Sequence, residues 1–346
     1  MCFYPKKLIK YFTFSLPLII CLLIFSFGAN SADKDPKPLA KVTFIPHWSP
    51  QAQFAGYYVA LDKGIYEKYG LNVEIIEGGP DRSPCEFLKN GKADFASLWL
   101  STGIRERAEG VEFVNIAQVM QKSALMLVAK RGNGITEPSD INNKKVGLWG
   151  PIFQIQPRAF FNKYNLKVEI IPQAYSVNLF LRDGVDVASA MWYNEYHTII
   201  NSGYDPEELT TFFFYDHGLN FPEDGIYTLH KTYKKDPKLS RAFIQASLEG
   251  WKYAFSNPQE ALDIILKYME KAHIPANRVH QQWMLARMKD LILVDHDKPG
   301  CIGRLNPEDY HRVAKGLKKE GMIERIPDFN AFYPEARESR ASPVGE

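Results

Sequence analysis

The sequence predicts an α/β fold of two lobes, each built on a doubly wound sheet, with the chain crossing twice between them. Three observations predict it. Short runs rich in β-branched and aromatic residues alternate with segments of helical spacing, which is the βαβ rhythm. The rhythm is interrupted by the polar, glycine-containing stretch RGNGITEPSD, residues 131–140, and then resumes. The chain is also long enough for two cores, with 346 residues of which 45% are hydrophobic.

Taken in order, Lys41–Pro46 (KVTFIP) reads as the first strand. Ser49 followed by Pro50 supplies an N-cap and first-turn pair, so the chain turns into a helix around His47 and Trp48. Phe54, Tyr57, Tyr58, Leu61 and Ile65 recur at intervals of three and four, the spacing of one buried helical face, and Gly64 and Gly70 punctuate its end. Strands follow at 71–76, 93–98 and 111–118, with helices at 84–89 and 103–109 between them. Ser123–Lys130 (SALMLVAK) is a further apolar strand, expected to be the crossover into lobe 2, with the lobe boundary between residues 128 and 129. Lobe 2 has expected strands at 145–149, 168–171, 185–191 and 211–215 and helices from Gly150-Pro151 through Phe161, at 176–181 and at 195–202. Residues 225–231 return the chain to lobe 1, where amphipathic helices are expected over 237–255, 258–271, 277–293 and 307–320. The expected division is therefore 41–128 with 226–333 for lobe 1 and 129–225 for lobe 2, and the polar segment 334–346 is expected to be loosely held. Trp251, Tyr253 and Phe255 read as helix-packing residues.

The amino-terminal residues differ in kind. Lys6, Lys7 and Lys10 form a basic region, Tyr11 to Phe27 is almost unbroken apolar sequence, and Ala29-Asn30-Ser31 offers small residues for cleavage. Residues 1–31 are thus expected to be an export signal, with a retained anchor as the competing reading, and the protein is expected to be periplasmic or extracytoplasmic. Cys21 follows Ile19 and Ile20 rather than small residues, which argues against a lipid anchor. The whole chain has 42 basic and 40 acidic residues; the signal segment holds three lysines and no acid, leaving 39 against 40. A near-neutral remainder without a basic stripe argues against nucleic acid as a partner.

Cysteine and histidine usage narrows the chemistry. Outside the signal only Cys85 and Cys301 remain, able to pair in an oxidising compartment or to stay as buried thiols. The histidines at 47, 197, 217, 230, 273, 280, 296 and 311 have no metal-ligand spacing, and Asp295-His296-Asp297 reads as a solvated loop before Pro299-Gly300. No metal and no cofactor are expected. Gly78-Gly79-Pro80 and Gly147-Leu148-Trp149-Gly150 complete neither a dinucleotide fingerprint nor a phosphate loop; they read as turn glycines.

Candidate ligand contacts are the residues just beyond strand ends, where small ligands lie in α/β folds. In lobe 1 these are Trp48, Gln53, Ser97 and Trp99, with Tyr57 on the following helix; in lobe 2 they are Trp149, Gly150, Phe153, Tyr193, Asn194 and Glu195. An aromatic pair can sandwich a flat ring, and Glu195 can accept hydrogen bonds from an exocyclic amine or an amidine-like edge. Core packing is the competing reading for Trp48 and Tyr57, and a favourable helix-end position is the competing reading for Glu195. Arg82, Arg105 and Arg158 are the nearby cations that a small anion would need. No nucleophile–base set is identifiable by spacing, so no catalytic residue is assigned.

The pattern WSPQAQFAGYYVALDKGIYEKYGL at 48–71, followed by GGP at 78–80 and GKADFA at 91–96, resembles the thiamine-pyrimidine and sulfonate/nitrate/taurine group of type 2 periplasmic binding proteins. The resemblance extends from about Lys41 to about Tyr268. It implies the type 2 periplasmic-binding-protein fold, two α/β lobes closing about a hinge, and a monomer that delivers a small-molecule ligand to an ABC transporter permease at the membrane. A thiamine-precursor pyrimidine is the first ligand it implies, and a sulfonate, taurine or other small anion the second; the segment MWYNEYH at 191–197 resembles the region where pyrimidine-binding relatives place polar contacts. Fungal relatives of this fold are pyrimidine synthases, but their cysteine-rich CCCFC-type motif is absent here. A periplasmic sensory binding protein would use the same cleft.

Overall fold

The computed structural model describes residues 38–294 and 302–334. The export signal, Cys301 with its pairing, the Asp295-His296-Asp297 cluster and the tail from residue 335 lie outside the described residues.

In chain order the first lobe opens with β1 (Ala40–Ile45), a short turn of 3-10 helix at Ala52–Phe54, α1 (Ala55–Asp62), α2 (Ile65–Lys68), β2 (Leu71–Ile75), α3 (Pro84–Lys89), β3 (Phe95–Trp99), α4 (Leu100–Ala108) and β4 (Phe113–Gln118). The second lobe contains β5 (Leu125–Lys130), β6 (Lys145–Leu148), α5 (Pro151–Lys163), β7 (Glu169–Pro172), α6 (Asn178–Leu181), β8 (Val187–Met191), α7 (Glu195–Asn201) and β9 (Leu209–Phe213). The chain returns through β10 (Asp224–Leu229) and ends in α8 (His230–Lys235), α9 (Pro237–Ser256), α10 (Pro258–Lys271), α11 (Arg278–Ile292), α12 (Pro307–Lys319) and α13 (Phe329–Phe332).

The two sheets repeat one design. Strand order is β2-β1-β3-β10-β4 in the first and β7-β6-β8-β5-β9 in the second. In each, three strands are parallel and the fourth is antiparallel to both neighbours. That fourth strand is the one delivered from the other lobe: β5 enters the second sheet directly after β4, and β10 enters the first directly after β9. Residues 119–124 and 214–223 therefore join the lobes. Because β1, β3, β6 and β8 are the parallel strands flanking the points where winding reverses, the crevice beyond their carboxyl ends is the natural place for a ligand.

Two expectations need correction. The strand within Ser123–Lys130 lies wholly in the second sheet: β5 pairs with β8 and β9, so the boundary falls before residue 125 rather than at 129. An apolar run buried on both faces looks the same in either sheet, so composition had no means of assigning it. Ser49-Pro50 does not start the helix, because regular helix begins only at Ala55, after the 3-10 turn. The delay leaves residues 46–51 as an irregular loop. Its path is fixed from behind by Gly78, where an added Cβ would lie 2.1 Å from the Pro46 carbonyl oxygen and 2.4 Å from that of Trp48.

α1 is buried all round rather than on one face: Ala55, Gly56, Tyr57, Tyr58, Val59 and Ala60 are all inaccessible. The reason is α9, which lies so close that a Cβ on Gly56 would meet the Trp251 ring at 2.3 Å and one on Gly250 would meet the Gly56 carbonyl oxygen at 2.2 Å. Helices past the return are not confined to lobe 1. α11 packs on the 52–54 turn and on α7, and α12 packs on α4 and α5, so each reaches both lobes.

Candidate ligand-binding site

A cavity of about 130 Å³ opens between the lobes, lined from the carboxyl ends of β1, β3, β6, β7 and β8. The segment after β1 contributes His47, Trp48, Gln51 and Gln53, and the end of β3 contributes Trp99. Lobe 2 contributes Trp149 and Phe153 after β6, Tyr175 after β7, and Met191, Tyr193, Asn194 and Glu195 at the end of β8.

The aromatic walls touch across the interlobe gap. Trp48 meets Tyr175 edge-on, with ring centroids 5.0 Å apart, and Trp99 meets Phe153 at 4.7 Å and 85°. Trp149 is held by its indole N–H, which donates to the Ala174 carbonyl at 3.1 Å and so ties the β6 end to the loop that carries Tyr175. These contacts leave a mainly apolar slot walled by aromatic rings, which suits an aromatic ligand.

Each lobe sets polar groups against this slot. In lobe 2 the Glu195 carboxylate accepts from the Met191 backbone N–H at 2.9 Å and from Asn194 Nδ2 at 2.7 Å. Burial pushes its pKa up to about 7, and those hydrogen bonds hold it from rising further. In lobe 1 the Ser97 hydroxyl accepts from the His47 backbone N–H at 2.9 Å and lies 2.8 Å from His47 Nδ1. His47 Nε2 lies 3.6 Å from Asp224 Oδ1 and 3.4 Å from Gln53 Nε2. Gln53 Nε2 donates to Asp224 at 2.9 Å, and Gln51 Nε2 donates to Gln53 Oε1 at 2.6 Å. Burial lowers the His47 pKa and raises that of Asp224; their mutual attraction only partly opposes both shifts.

Ser97, His47 and Asp224 are the residue types of a hydrolytic triad, but not a working one. Ser97 is fully buried, does not line the cavity, and has its oxygen engaged twice by His47. A nucleophile has to reach its substrate.

Of the sequence candidates, Trp48, Gln53, Trp99, Trp149, Phe153, Tyr193, Asn194 and Glu195 are brought together around the cavity. Three are not. Tyr57 lies in the lobe 1 core against Phe44 and Trp251, because α1 is buried on every side. Ser97 stands behind His47, and Gly150 is the exposed N-cap of α5. Sequence reasoning overlooked His47, Gln51, Tyr175 and Met191. The first two share the irregular loop with Trp48, a signal that was available; Tyr175 follows an edge strand and Met191 is a strand's last residue, neither distinctive in sequence. Arg82, Arg105 and Arg158 do not line the cavity and are engaged elsewhere, by the Glu77 carbonyl, by Glu106 and by Gln154 respectively. Among the described residues no His/Cys/Asp/Glu cluster suits a metal ion, and no helix is long and apolar enough to cross a membrane. Cys85 is buried, which pushes its thiol up to about 12.

Residues 51–261 match the family described as NMT1/THI5 like. The chain belongs to this family. A formylaminopyrimidine-binding protein of Halalkalibacterium halodurans is 22% identical over 319 residues, which cover 90% of this chain and 94% of that protein. A 4-amino-5-hydroxymethyl-2-methylpyrimidine phosphate synthase of Schizosaccharomyces pombe is 24% identical over 151 residues, 44% of this chain and 42% of the synthase. Among solved structures, the periplasmic aliphatic sulphonate-binding protein SsuA of Escherichia coli superposes with a TM-score of 0.68 at 15% identity, covering 85% of this chain and 91% of that one. The periplasmic-binding-protein fold is therefore shared with SsuA, and this NMT1/THI5-like chain matches its bacterial binding-protein relative over nearly its full length but the fungal synthase over less than half.

Proposed function

We propose that this NMT1/THI5-like protein is an extracytoplasmic solute-binding protein that captures a small planar amino-heterocycle, first a thiamine-precursor pyrimidine, and hands it to an ABC transporter permease by hinge closure of its lobes. The observation that carries this reading is the position of Glu195: a buried carboxylate on the wall of an aromatic slot. An aminopyrimidine offers adjacent ring-nitrogen and amine functions that complement such a carboxylate, and charge-assisted hydrogen bonds of this kind are the strong ones. Size supports one ring. A cavity of roughly 150 Å³ holds a benzene, and the slot here is about 130 Å³. The formylaminopyrimidine named for the Halalkalibacterium relative has the required chemistry.

The competing ligand class, a sulfonate or other small anion, fits less well. The lining contains no lysine or arginine and does contain a carboxylate, with a second buried carboxylate, Asp224, directly behind Gln53 and His47. Desolvating an anion against carboxylates is unfavourable on both counts. The synthase reading draws on the Schizosaccharomyces relative, but the cavity lining contains no serine, threonine, cysteine or lysine, and the chain's four cysteines, at 2, 21, 85 and 301, form no cysteine-rich motif.

Calorimetric titration of the purified protein with an aminopyrimidine, taurine, an alkanesulfonate, nitrate and pyridoxal phosphate separates these readings. Saturable binding of the aminopyrimidine alone is expected. Tight binding of a sulfonate with none of the pyrimidine would discard the ligand and keep the binding-protein class, and binding of pyridoxal phosphate alone would replace the class with the enzyme.

A further inference from the structure

Helix α11 does not line the cavity, yet it touches the walls of both lobes. Toward lobe 1, Gln281 Oε1 accepts from the Ala52 backbone N–H at 2.7 Å and Met284 Sδ from that of Gln53 at 3.2 Å. Toward lobe 2, Trp283 Nε1 donates to the Trp192 carbonyl at 3.0 Å, and His280 Nε2 lies 2.9 Å from Asn194 Oδ1.

The last contact has a definite polarity. An amide oxygen set beside a carboxylate is repelled, so the Asn194 amide turns its Nδ2 to Glu195, as observed at 2.7 Å. Its Oδ1 then requires a donor, and His280 Nε2 has to carry the proton. In the neutral ring this leaves His280 Nδ1 a lone pair, which faces His197 Nδ1 at 2.9 Å. The amide nitrogen of Asn201 lies 3.1 Å from the same His197 nitrogen. His197 is packed flat on Trp283, with centroids 4.8 Å apart, and its ring is tilted 36° from that of His280. Hydrogen bonds thus run in one direction from His280 through Asn194 to Glu195.

We propose that His280 is a positioning residue for ligand selection: it fixes the Asn194 amide, which fixes the Glu195 carboxylate, so that the remaining lone pairs of Glu195 stay turned into the cavity. The proposal rests on the reading of Glu195 as the ligand's acceptor. Selectivity for an amino group is then set by a helix outside the cavity and is completed only when α11 and the 191–195 segment are in contact. Burial depresses the pKa of both histidines, favouring the neutral rings that this polarity needs. The ionisable groups facing the pair are each other, Glu195 through Asn194, and the Arg287 guanidinium, which lies over the Trp192 and Trp283 rings at 4.6 and 4.7 Å.

The test compares affinities for 4-amino-5-hydroxymethyl-2-methylpyrimidine and for the same ring without its amino group. His280→Leu is expected to reduce the ratio of the two affinities by about tenfold, the size of a lost hydrogen bond to a charged group. His280→Gln, whose Nε2 can replace the histidine donor, is expected to restore most of it. A merely structural role would weaken both ligands alike and leave the ratio intact, which would overturn the proposal. Glu195→Gln is run beside them. If it leaves the ratio unchanged, the acceptor reading itself fails and the proposal falls with it; if it collapses the ratio while His280→Leu does not, the proposal alone falls. Should His280→Leu not fold, long-range 1H–15N NMR of the wild-type protein decides: a proton on His280 Nε2 is required, and its absence there overturns the proposal.

Discussion

The two walls of the cleft are built from matching strand ends but handle their carboxylates differently. In lobe 1, Asp224 is withdrawn behind Gln53 and His47 and does not face the cavity; the polar groups there mostly satisfy one another. In lobe 2, Glu195 faces the cavity, and its partners come from its own segment and, through Asn194, from α11. The two carboxylates stand at non-equivalent places in sheets of one design, Asp224 opening β10 and Glu195 following β8; under the proposed function the first wall gives shape and the second recognises. Between them lies a third carboxylate, Glu223, on the returning connection. It accepts from the backbone N–H of Ala124 at 2.9 Å and from the Ser123 hydroxyl at 2.8 Å, both on the outgoing connection.

Glu223 offers the largest expected effect and a way to isolate the other two. Burial raises its pKa to about 8 and that of Glu195 to about 7, both from an ordinary value of 4.5. For an acid whose pKa is higher in the folded state, the folded protein binds more protons than the unfolded chain between the two values, so stability falls as pH rises through that window. Urea unfolding of the unliganded protein is expected to show stability declining between pH 4.5 and about 8. In Glu223→Gln the part of the decline that reaches pH 8 should vanish, leaving a smaller slope from Glu195, which ends near pH 7, and from Asp224, whose pKa burial also raises. A wild-type stability that is flat from pH 5 to 8 would remove the premise that either group is held neutral by burial.

The next effect tests the division of labour directly. Glu195→Gln is expected to weaken aminopyrimidine binding by about 2 kcal/mol, as for the loss of a charge-assisted hydrogen bond. Asp224→Asn, almost isosteric and behind the wall, is expected to change affinity by less than about 1 kcal/mol while lowering the melting temperature, because it disturbs a buried network. Calorimetry on both variants reads the contrast; equal losses of affinity would mean that the two walls are functionally alike.

How much of this contrast sequence could supply depends on the kind of information each residue carries. Strands and helices were legible because short β-branched runs and helical spacing are local properties, and α3 and α10 begin at Pro84 and Pro258 and span the residues expected of them. The sheet to which β5 belongs was not legible, since pairing is non-local and the run is apolar on both faces. Glu195, Asn194 and Tyr193 were placed near the cavity by one rule, that they follow a parallel strand. The same rule proposed Ser97 and Gly150, because it locates a residue along the chain but not the direction of its side chain. Tyr57 misled for a related reason: helical spacing shows that a face is buried, and here α9 buries the remaining faces as well. The link from Asn194 to His280 spans 86 positions, and no local pattern announces it.

The smallest expected effects concern how lobe 1 gives shape. Gly78→Ala places a methyl group against the Pro46 and Trp48 carbonyl oxygens, so the loop bearing His47 and Trp48 has to move. A cost of about 1 to 3 kcal/mol in stability follows from such overpacking, and affinity should fall with it even though no cavity-lining side chain has changed. Trp48→Ala removes an aromatic wall without displacing the backbone, and is expected to cost about 1 kcal/mol of affinity. Tyr175, the partner of Trp48 across the gap, is 65% exposed and stands at the rim. Tyr175→Ala is expected to cost less than Trp48→Ala, because a ring that stays in water on one side loses little when the ligand leaves. If Trp48 closes over the ligand chiefly by resting on Tyr175, the two substitutions are not independent, and the double variant should bind no more weakly than Trp48→Ala alone. A double-mutant cycle on this pair reads that coupling; fully additive losses would mean that each ring meets the ligand separately, and that the lobe 1 wall recognises as well as shapes.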